Sequence, residues 1–493
     1  MKKITFVIGL TYVVGLLILI RSVVLSGYWF QFNSDELFNA NVIYVLLKGL
    51  RPYVDFYLGY SSILHWLLAP VFLVFGFSFQ AVSVARIVMI VIFFIKTFLL
   101  FLLVRRVFGK TVAILFLPMF LLNPFVVFAE MQIRPDNFMM LFYTLFLLVF
   151  SYTYYSRSPK RFIISGALFG LTFLTHTKIA PSLLAFGLVF FLYTVRQKSL
   201  WRLWYFLNGF ALSGLAFLFY FLIKGNVGEM FLQVFFDSVR IYNRYPTWLG
   251  YFYFSNPVIY GHEGKPMNWF YTWSLPLMAF AGGYAAFSSS LKSAVEHTEK
   301  KDEEHQLMRI ILFVSLAFQW ASLLFINSVF MQYYIPINWL YALFSAYFIH
   351  NLINQIKIVK ILQTVFTACL LILLIFLLKS SIQGNLARSR MADDPIVKEV
   401  TGFWQMIPKD SPAYPNVIFR KPIYPLLWGQ VISENVRDRY PQAYLAIEKY
   451  KLKILTGLTD DFISYLDPQT QAYILANYQR DQSDNRIWRR IKN

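Results

Sequence analysis

The sequence predicts a polytopic α-helical membrane protein with a small C-terminal α/β domain outside the membrane. Of its 493 residues, 58% are hydrophobic and only 14% are charged, a composition outside the range of soluble domains. Apolar runs of bilayer-spanning length recur along the chain, and basic residues cluster on every second connecting loop. These features together predict a multi-pass protein whose orientation is set by its loop charges.

About eleven transmembrane helices are predicted within residues 1–380 by the rule of about twenty residues for each span. The first apolar run follows Met1-Lys2-Lys3 without a small-residue cleavage site, so it is expected to be retained, with the N-terminus in the cytoplasm. The predicted spans lie at 4–25, 81–104, 111–128, 137–155, 162–175, 179–195, 203–223, 271–290, 310–327, 334–352 and 361–379. An odd number of spans places residues 381–493 on the extracytoplasmic side.

The net charge of +20 does not indicate a nucleic-acid partner, because much of the Lys and Arg lies in short loops between apolar runs, where it serves as a topology signal. The single cysteine, Cys369, lies inside an apolar run, which excludes a disulfide framework and a cysteine-based metal site.

The composition after residue 380 changes abruptly to polar residues and prolines, and about 110 residues are enough for a small domain. Helical patterns at 396–406 and 460–478 alternate with β-like runs at 417–419 and 486–488. The pattern predicts a compact extracytoplasmic α/β domain at 381–493.

Three outward-facing loops, 26–80, 129–136 and 224–270, hold nearly all the polar residues that could take part in catalysis or binding. The site is therefore expected to face outwards. The first loop carries the adjacent acids Asp35 and Glu36, then Asp55. It also contains the amphipathic run 62–75, which is too short to span and is expected to lie along the interface. An acid pair beside an interfacial helix suits a lipid-borne substrate.

The second loop contains Glu130, Arg134 and Asp136. An arginine at membrane depth needs an anionic partner, and its guanidinium geometry matches phosphate. Lys178 lies in the short turn between the fifth and sixth spans. The third loop is rich in aromatic and amide side chains, which suit sugars but would equally form an interfacial aromatic belt.

Structural interpretations exist for the same residues. Asn33 and Glu36 have the spacing of a capping box, and Arg134-Pro135-Asp136 has the pattern of a helix start. Lys178 fits a snorkelling lysine at a helix end as well as a phosphate ligand. The isolated histidines are expected to be packing or polar-contact residues rather than metal ligands. They are His65, His176 and His262.

The order of these motifs resembles the C-type glycosyltransferases (the GT-C superfamily), in particular the bacterial branch related to protein O-mannosyltransferases and lipid A aminoarabinose transferases. The resemblance covers residues 1 to about 380. It rests on a first span followed by Asp35-Glu36, then Gly49 to Asp55, Ser62 to Pro70, Phe75-Gly76, Ala85-Arg86, Arg134-Pro135-Asp136, Thr177-Lys178 and Gln332 to Pro336.

The resemblance implies a glycosyltransferase that moves one sugar from a polyprenyl-phosphate donor to an envelope lipid, polysaccharide or protein on the outer face of the inner membrane. It implies that Asp35 is the general base, that Glu36 supports the site, and that inversion follows from one displacement. Arg134 and Lys178 would bind the donor phosphate. Further substrate contacts would come from Asp55, Asp136, Tyr333 and Tyr334.

The chain departs from the aminoarabinose branch at Gly59-Tyr60-Ser61-Ser62, where that branch usually has a Lys-Pro-Pro run. A phosphate-binding lysine is therefore absent at that position. Related oligosaccharyltransferases hold a divalent metal with outer-loop acids, a set that Asp35, Glu130 and Asp136 would imitate. No closely spaced acid pair stands in the second loop, so no cofactor is expected to be required and a divalent metal is the less favoured option.

A transporter or flippase for lipid-linked sugar is the alternative of a different class, since polar groups inside a helical bundle also form substrate paths. A non-catalytic envelope assembly protein is a third. The two halves of the chain show no hydropathy repeat and the polar residues concentrate on one side, which favours the enzyme.

Overall fold

The computed structural model describes most of the chain. The described residues are 2–30, 32–122, 127, 129–154, 158–237, 270–295, 300–325, 331–356, 375, 378–379, 381–383, 395–409, 411–414, 417–423, 442–464 and 466–491. Most of the predicted third outer loop, most of the eleventh predicted span and His262 lie outside them.

Helices occur at ten of the eleven predicted span positions. The helices up to residue 356 are α1 Lys2–Trp29, α2 Ser34–Leu47, α3 Ile63–Phe75, α4 Phe79–Phe108, α5 Lys110–Leu121, α6 Pro135–Thr153, α7 Pro159–Thr175, α8 Ala180–Arg196, α9 Leu200–Lys224, α10 Val227–Phe231, α11 Leu275–Val295, α12 Lys300–Leu323 and α13 Ile335–Ile356. Short 3₁₀ turns lie at Thr177–Ile179 and Met331–Tyr334, and π-helical turns at Leu232–Asp237 and Phe270–Ser274.

Six of the described segments are long and apolar enough to cross a bilayer, judged by length and composition. They are Tyr12–Trp29, Phe79–Phe108, Pro135–Thr153, Thr177–Arg196, Leu200–Lys224 and Glu303–Leu323. The protein is thus a largely helical multi-pass membrane protein, as the sequence predicts.

The chain divides into two compact units. Unit 1 comprises Met1–Phe30, Arg86–Phe217 and Pro246–Ala392, and unit 2 comprises Gln31–Ala85, Leu218–Tyr245 and Asp393–Asn493. The boundary predicted near residue 380 divides the chain into two consecutive parts. The two units are defined instead by contacts between residues, and each unit combines separate segments of the chain. The contacts group the first outer segment with the C-terminal domain.

Unit 1 is a helical bundle whose close approaches depend on glycine. A Cβ atom on Gly166 of α7 would lie 1.9 Å from the carbonyl oxygen of Phe206, and one on Gly209 of α9 would lie 2.0 Å from that of Ile163. Any larger residue would force α7 and α9 apart. The core of unit 1 is rich in aromatic residues: Phe146 and Phe186, for example, pack edge to face with ring centroids 4.8 Å apart.

Unit 2 contains α2, α3, the end of α9, α10 and the C-terminal domain. The C-terminal domain has helices α14 Pro395–Met406, α15 Ala443–Lys449, α16 Asp460–Ser464 and α17 Pro468–Asn477. Strands β1 Pro412–Ala413 and β2 Lys421–Pro422 pair in parallel, and β3 Ile454–Thr456, β5 Ile487–Arg490 and β4 Tyr478–Arg480 form an antiparallel sheet in the order β3-β5-β4. The described part of this domain is therefore mixed α and β, as expected.

Helix α3 coincides with the amphipathic run 62–75 of the first outer loop, and α2 begins at the predicted capping box. Two local expectations are corrected. The helical pattern at 460–478 is broken, since Asp467 caps a new helix that begins at Pro468, and Tyr478 begins β4. The β-like run at 417–419 is a turn between β1 and β2, where Phe419 has a φ of +58° that a strand does not allow.

Candidate active site

The first turn of α2 carries the acid pair of the first outer segment. Asn33 caps the helix: its Oδ1 accepts from the Glu36 amide at 2.9 Å, and Glu36 Oε2 accepts from the Asn33 amide at 3.3 Å. Glu36 is fully buried, whereas Asp35 is half-buried. The predicted capping box is therefore present, and it uses the carboxylate of Glu36 but not that of Asp35.

Asn39, one turn further along α2, connects this turn to the segment that follows. Its Nδ2 donates to the Asp35 carbonyl oxygen at 2.8 Å, and its Oδ1 accepts from the Tyr60 hydroxyl at 2.6 Å and from His65 Nε2 at 3.0 Å. The Tyr60 and His65 rings stack with centroids 5.9 Å apart. His65 is therefore a polar-contact residue. Burial lowers the pKa of His65 to about 3, so the ring is neutral at physiological pH.

Asp55 lies in the segment between α2 and α3. It forms a two-point ion pair with Arg51, whose Nη2 lies 3.1 Å from Oδ1 and whose Nε lies 3.2 Å from Oδ2. Partial burial raises the pKa of Asp55, but hydrogen bonds from the side chain and backbone of Arg51 outweigh it and hold the pKa below its ordinary value. Asp55 therefore shapes this segment by holding Arg51.

Two side chains from the region after α9 fix the same segment. Gln233 donates to the Tyr53 carbonyl at 2.7 Å and accepts from the Leu58 amide at 3.1 Å, and Asn226 donates to the Pro52 carbonyl at 2.8 Å. Tyr53 is buried with a φ of +68°, a left-handed conformation that tertiary contacts must hold.

The turn before α6 carries the acids and the arginine of the second outer loop in unit 1. Arg134 is 7% exposed, and its Nε donates to Gln132 Oε1 at 2.7 Å. Asn137 Nδ2 donates to the Gln132 carbonyl at 2.5 Å. Pro135 and Asp136 occupy the first turn of α6, so the helix-start interpretation is confirmed as well.

Lys178 lies in the turn between α7 and α8 and pairs with Asp136 of α6, with Nζ 3.1 Å from Oδ1. Its ammonium also lies 4.6 Å from the centre of the Tyr333 ring. Gln319 of α12 donates to the Lys178 carbonyl at 3.1 Å and fastens the turn. The Lys178 side chain is 13% exposed and that of Asp136 only 2%. Helix α6 and the Met331–Tyr334 turn thus contact the same ammonium group, and α12 holds its backbone.

Arg134 and His176 also lie close enough to Asp136 to interact with it electrostatically. His176 is a local contact, since its Nδ1 accepts from the Lys178 amide at 3.5 Å. The turn therefore gathers Arg134, Asp136 and Lys178, three of the residues that the sequence singled out. Tyr334, which follows Tyr333 in the sequence, is also buried.

Sequence reasoning did not identify Lys96 of α4, which pairs with Glu130 and lies 4.8 Å from the centre of the Phe93 ring. Its side chain is 2% exposed and that of Glu130 is 1% exposed. A lysine in the middle of an apolar run is itself a signal, because such a charge is costly unless it is paired. Gln319 and Asn39 are also polar residues within helices, and only the structure shows which groups they bind through hydrogen bonds.

Within the described part of the chain, no group of three His, Cys, Asp or Glu side chains is arranged to hold a metal ion. Of the three acids considered as metal ligands, Glu130 and Asp136 each hold a lysine. Asp35 belongs to unit 2 and the other two belong to unit 1.

Comparison with known proteins gives the fold. Residues 62–223 match the family model described as dolichyl-phosphate-mannose-protein mannosyltransferase. The structure is similar to that of ArnT from Cupriavidus metallidurans bound to undecaprenyl phosphate, with a TM-score of 0.54 and 14% identity over 98% of this chain and 97% of that chain.

It is also similar to the Archaeoglobus fulgidus oligosaccharyltransferase tethered to an acceptor peptide, with a TM-score of 0.51 and 12% identity over 94% of this chain and 72% of that chain. No curated protein matches the sequence. The chain has the fold of the GT-C membrane glycosyltransferases, which confirms the resemblance seen in its motifs.

Proposed function

We propose that this protein is a glycosyltransferase that moves a single sugar from a polyprenyl-phosphate donor to a cell-envelope acceptor on the outer face of the inner membrane. The acceptor would be lipid A or lipopolysaccharide, a polysaccharide or a protein. The observation that carries the proposal is the Lys178 ammonium, held between Asp136 and Tyr333 at the end of the spanning segment Thr177–Arg196.

A lysine ammonium has three N–H donors, and Lys178 uses one of them on Asp136 within the described residues. Its side chain is also the more exposed member of the pair. It therefore retains capacity for an anion, and a phosphate on a lipid carrier would reach a group at this depth. When the bond between sugar and phosphate breaks, negative charge develops on the phosphate, and a fixed cation lowers the energy of that transition state.

Arg134 is the second candidate for the donor phosphate. Gln132 holds its Nε, which orients the guanidinium, and a guanidinium binds phosphate through two parallel N–H bonds. Tyr333 and Tyr334 would contribute to the substrate contact from the turn before α13. Asp136 would act by holding the Lys178 ammonium in place.

Asp35 is the proposed general base that removes the proton from the acceptor hydroxyl. Its backbone is fixed by Asn39, and the neighbouring Glu36 maintains the helix cap. One displacement at the anomeric carbon would then invert its configuration. Asp55 would act indirectly, by ordering the segment before α3 through Arg51.

The C-terminal domain gives α2 part of its support. The Phe419 amide donates to Asn41 Oδ1 of α2 at 3.1 Å, and the Phe419 ring packs against Phe72, Phe77 and Tyr44. We propose that this domain assists acceptor docking beside α2. Replacing exposed residues of the domain should then raise the KM for acceptor and leave donor binding unchanged.

The test is reconstitution of the full chain with a panel of labelled polyprenyl-phosphate sugars and envelope extract, followed by measurement of released polyprenyl phosphate. Release by the wild type that Asp35→Asn loses, with donor binding retained, supports the proposal. If the protein moves labelled donor across the bilayer without cleaving it, the flippase alternative replaces the enzyme. No release and no movement with any donor would favour an assembly role.

A further inference from the structure

A cavity of about 240 Å³ lies at the opposite end of α2 from Asp35. Its walls come from the last turn of α2 and the residues after it, from α3, and from the last two turns of α9. The separation along α2 between Asp35 and Leu46 is about 17 Å at the helical rise per residue. The cavity therefore lies apart from Asp35 within unit 2, although His65, the partner of Asn39, forms part of its wall.

Two cations line this cavity, and they differ in their partners. The charge of Arg51 is balanced by its ion pair with Asp55. Lys224 is exposed on the last turn of α9 and makes no ion pair with any residue that the structure describes. The cavity thus carries one unbalanced positive charge, together with a guanidinium that Asp55 orders through two of its N–H groups. That combination suits a phosphate.

The surroundings of the cavity are those of a membrane interface. Trp66 and Tyr220 form an edge-to-face pair on its wall, with ring centroids 4.7 Å apart. The neighbouring side chains Leu67, Leu222 and Ile223 are 44%, 64% and 68% exposed. Aromatic and basic residues beside exposed aliphatic side chains are typical of the level at which lipid head groups meet acyl chains.

We infer that this cavity binds the phosphate of an anionic phospholipid, with the lipid's acyl chains lying against the exposed apolar side chains of α3 and α9. Lys224 supplies the net charge, Arg51 supplies directed N–H donors, and the pair Trp66 and Tyr220 forms the wall at head-group level. A soluble phosphate would use the same cations but would gain nothing from the apolar surface around them.

The experiment uses the full chain purified in detergent and measures retained phospholipid by native mass spectrometry. The probes are phosphatidylglycerol, which is anionic, phosphatidylcholine, which carries no net charge, and inorganic phosphate. Lys224→Met removes the unbalanced charge, and Ala69→Phe fills the cavity without changing the charge. Lys160→Met, an exposed lysine at the start of α7, is the matched control.

Lys224→Met is expected to weaken phosphatidylglycerol binding about five-fold, which is the effect of one basic residue at an anionic membrane surface. Ala69→Phe should weaken it at least as much. Lys160→Met and all phosphatidylcholine measurements should match the wild type. The melting temperature of each variant is measured to show that it is folded.

Equal retention of phosphatidylglycerol by the wild type and both cavity variants would overturn the inference. So would equal retention of the two lipids by the wild type, because the head-group charge would then play no part. Displacement by inorganic phosphate without any preference for phosphatidylglycerol would assign the cavity to a soluble anion instead of a lipid.

Discussion

The first turn of α2 and the turn around Lys178 both place carboxylates at a helix start, but they use them differently. At α2, Glu36 satisfies the backbone of its own cap, and Asp35 beside it stays half-buried on the first turn. At the other turn, Asp136 is almost fully buried and holds the ammonium of Lys178. One turn therefore presents an acid, and the other uses its acid to keep a cation in place. Under the proposed function, Asp35 would supply the base for the acceptor and Lys178 the cation for the leaving phosphate.

The largest effect is expected from separating the two acids of α2. Asp35→Asn should lower the transfer rate about a thousand-fold, the loss typical of a removed general base. Glu36→Gln should stay within about five-fold of the wild type, because glutamine also completes a capping box and a lost cap changes stability by only about 1 kcal/mol. The measurement is release of polyprenyl phosphate at saturating donor. If Glu36→Gln is the more damaged variant, the base is Glu36.

The second prediction compares the two buried ion pairs of unit 1. Lys178→Met and Lys96→Met should each destabilise the protein by about 3–5 kcal/mol, because each leaves a buried carboxylate without its partner. The paired variants Lys178→Met/Asp136→Leu and Lys96→Met/Glu130→Leu should recover much of that stability in thermal unfolding, since an apolar pair can replace a buried ion pair.

Donor binding then separates the two pairs. The variant without Lys96 and Glu130 should bind donor like the wild type, and the one without Lys178 and Asp136 should not. Equal donor affinity in the two paired variants would remove Lys178 from the site. Loss of activity in the Lys96 and Glu130 variant that excess divalent metal restores would instead make Glu130 a metal ligand.

A smaller effect is expected from His65, which supports the α2 turn through Asn39. The folded-state pKa of about 3 lies below the ordinary 6.5, so the unfolded chain binds more protons between these values. The contribution of the neutral ring to stability is therefore complete above about pH 6.5 and is lost as the pH falls toward 3. Lowering the pH from 7 to 5 should cost about 2 kcal/mol from this group.

His65→Gln keeps a donor for Asn39 but does not titrate, so its unfolding midpoint should depend less on pH between 7 and 5 than that of the wild type. His350→Gln on α13 is the matched control and should leave the pH dependence unchanged. Parallel pH profiles for the wild type and His65→Gln would show that His65 does not set the acid sensitivity.

The smallest effect is expected at Asp55. Its ion pair with Arg51 is 33% to 50% exposed, and water screens pairs of that kind, so they contribute little to stability. Asp55→Asn should lower the unfolding midpoint slightly, and the difference from the wild type should shrink in high salt. A large rise in the KM for donor or acceptor in this variant would show instead that Asp55 contacts substrate directly.

The sequence by itself determined the class of protein, the approximate positions of ten helices and the residues worth testing at the starts of α2 and α6. These properties are local, because bilayer-length hydropathy, alternating loop charge and capping patterns each depend on residues that are close together in the sequence. The tertiary structure decided which residues distant in the chain meet. Lys178 and Asp136 are 42 positions apart, and the contact between Asn41 and Phe419 joins residues 378 positions apart.

No local pattern encodes such pairings, because they depend on how helices distant in the chain pack against one another. For the same reason the sequence missed Lys96 and Asn39, whose partners are fixed only once the helices have assembled. The β-propensity of residues 417–419 also led to the wrong prediction of a strand. The packing of Phe419 against α2 and α3 instead holds that residue in a turn.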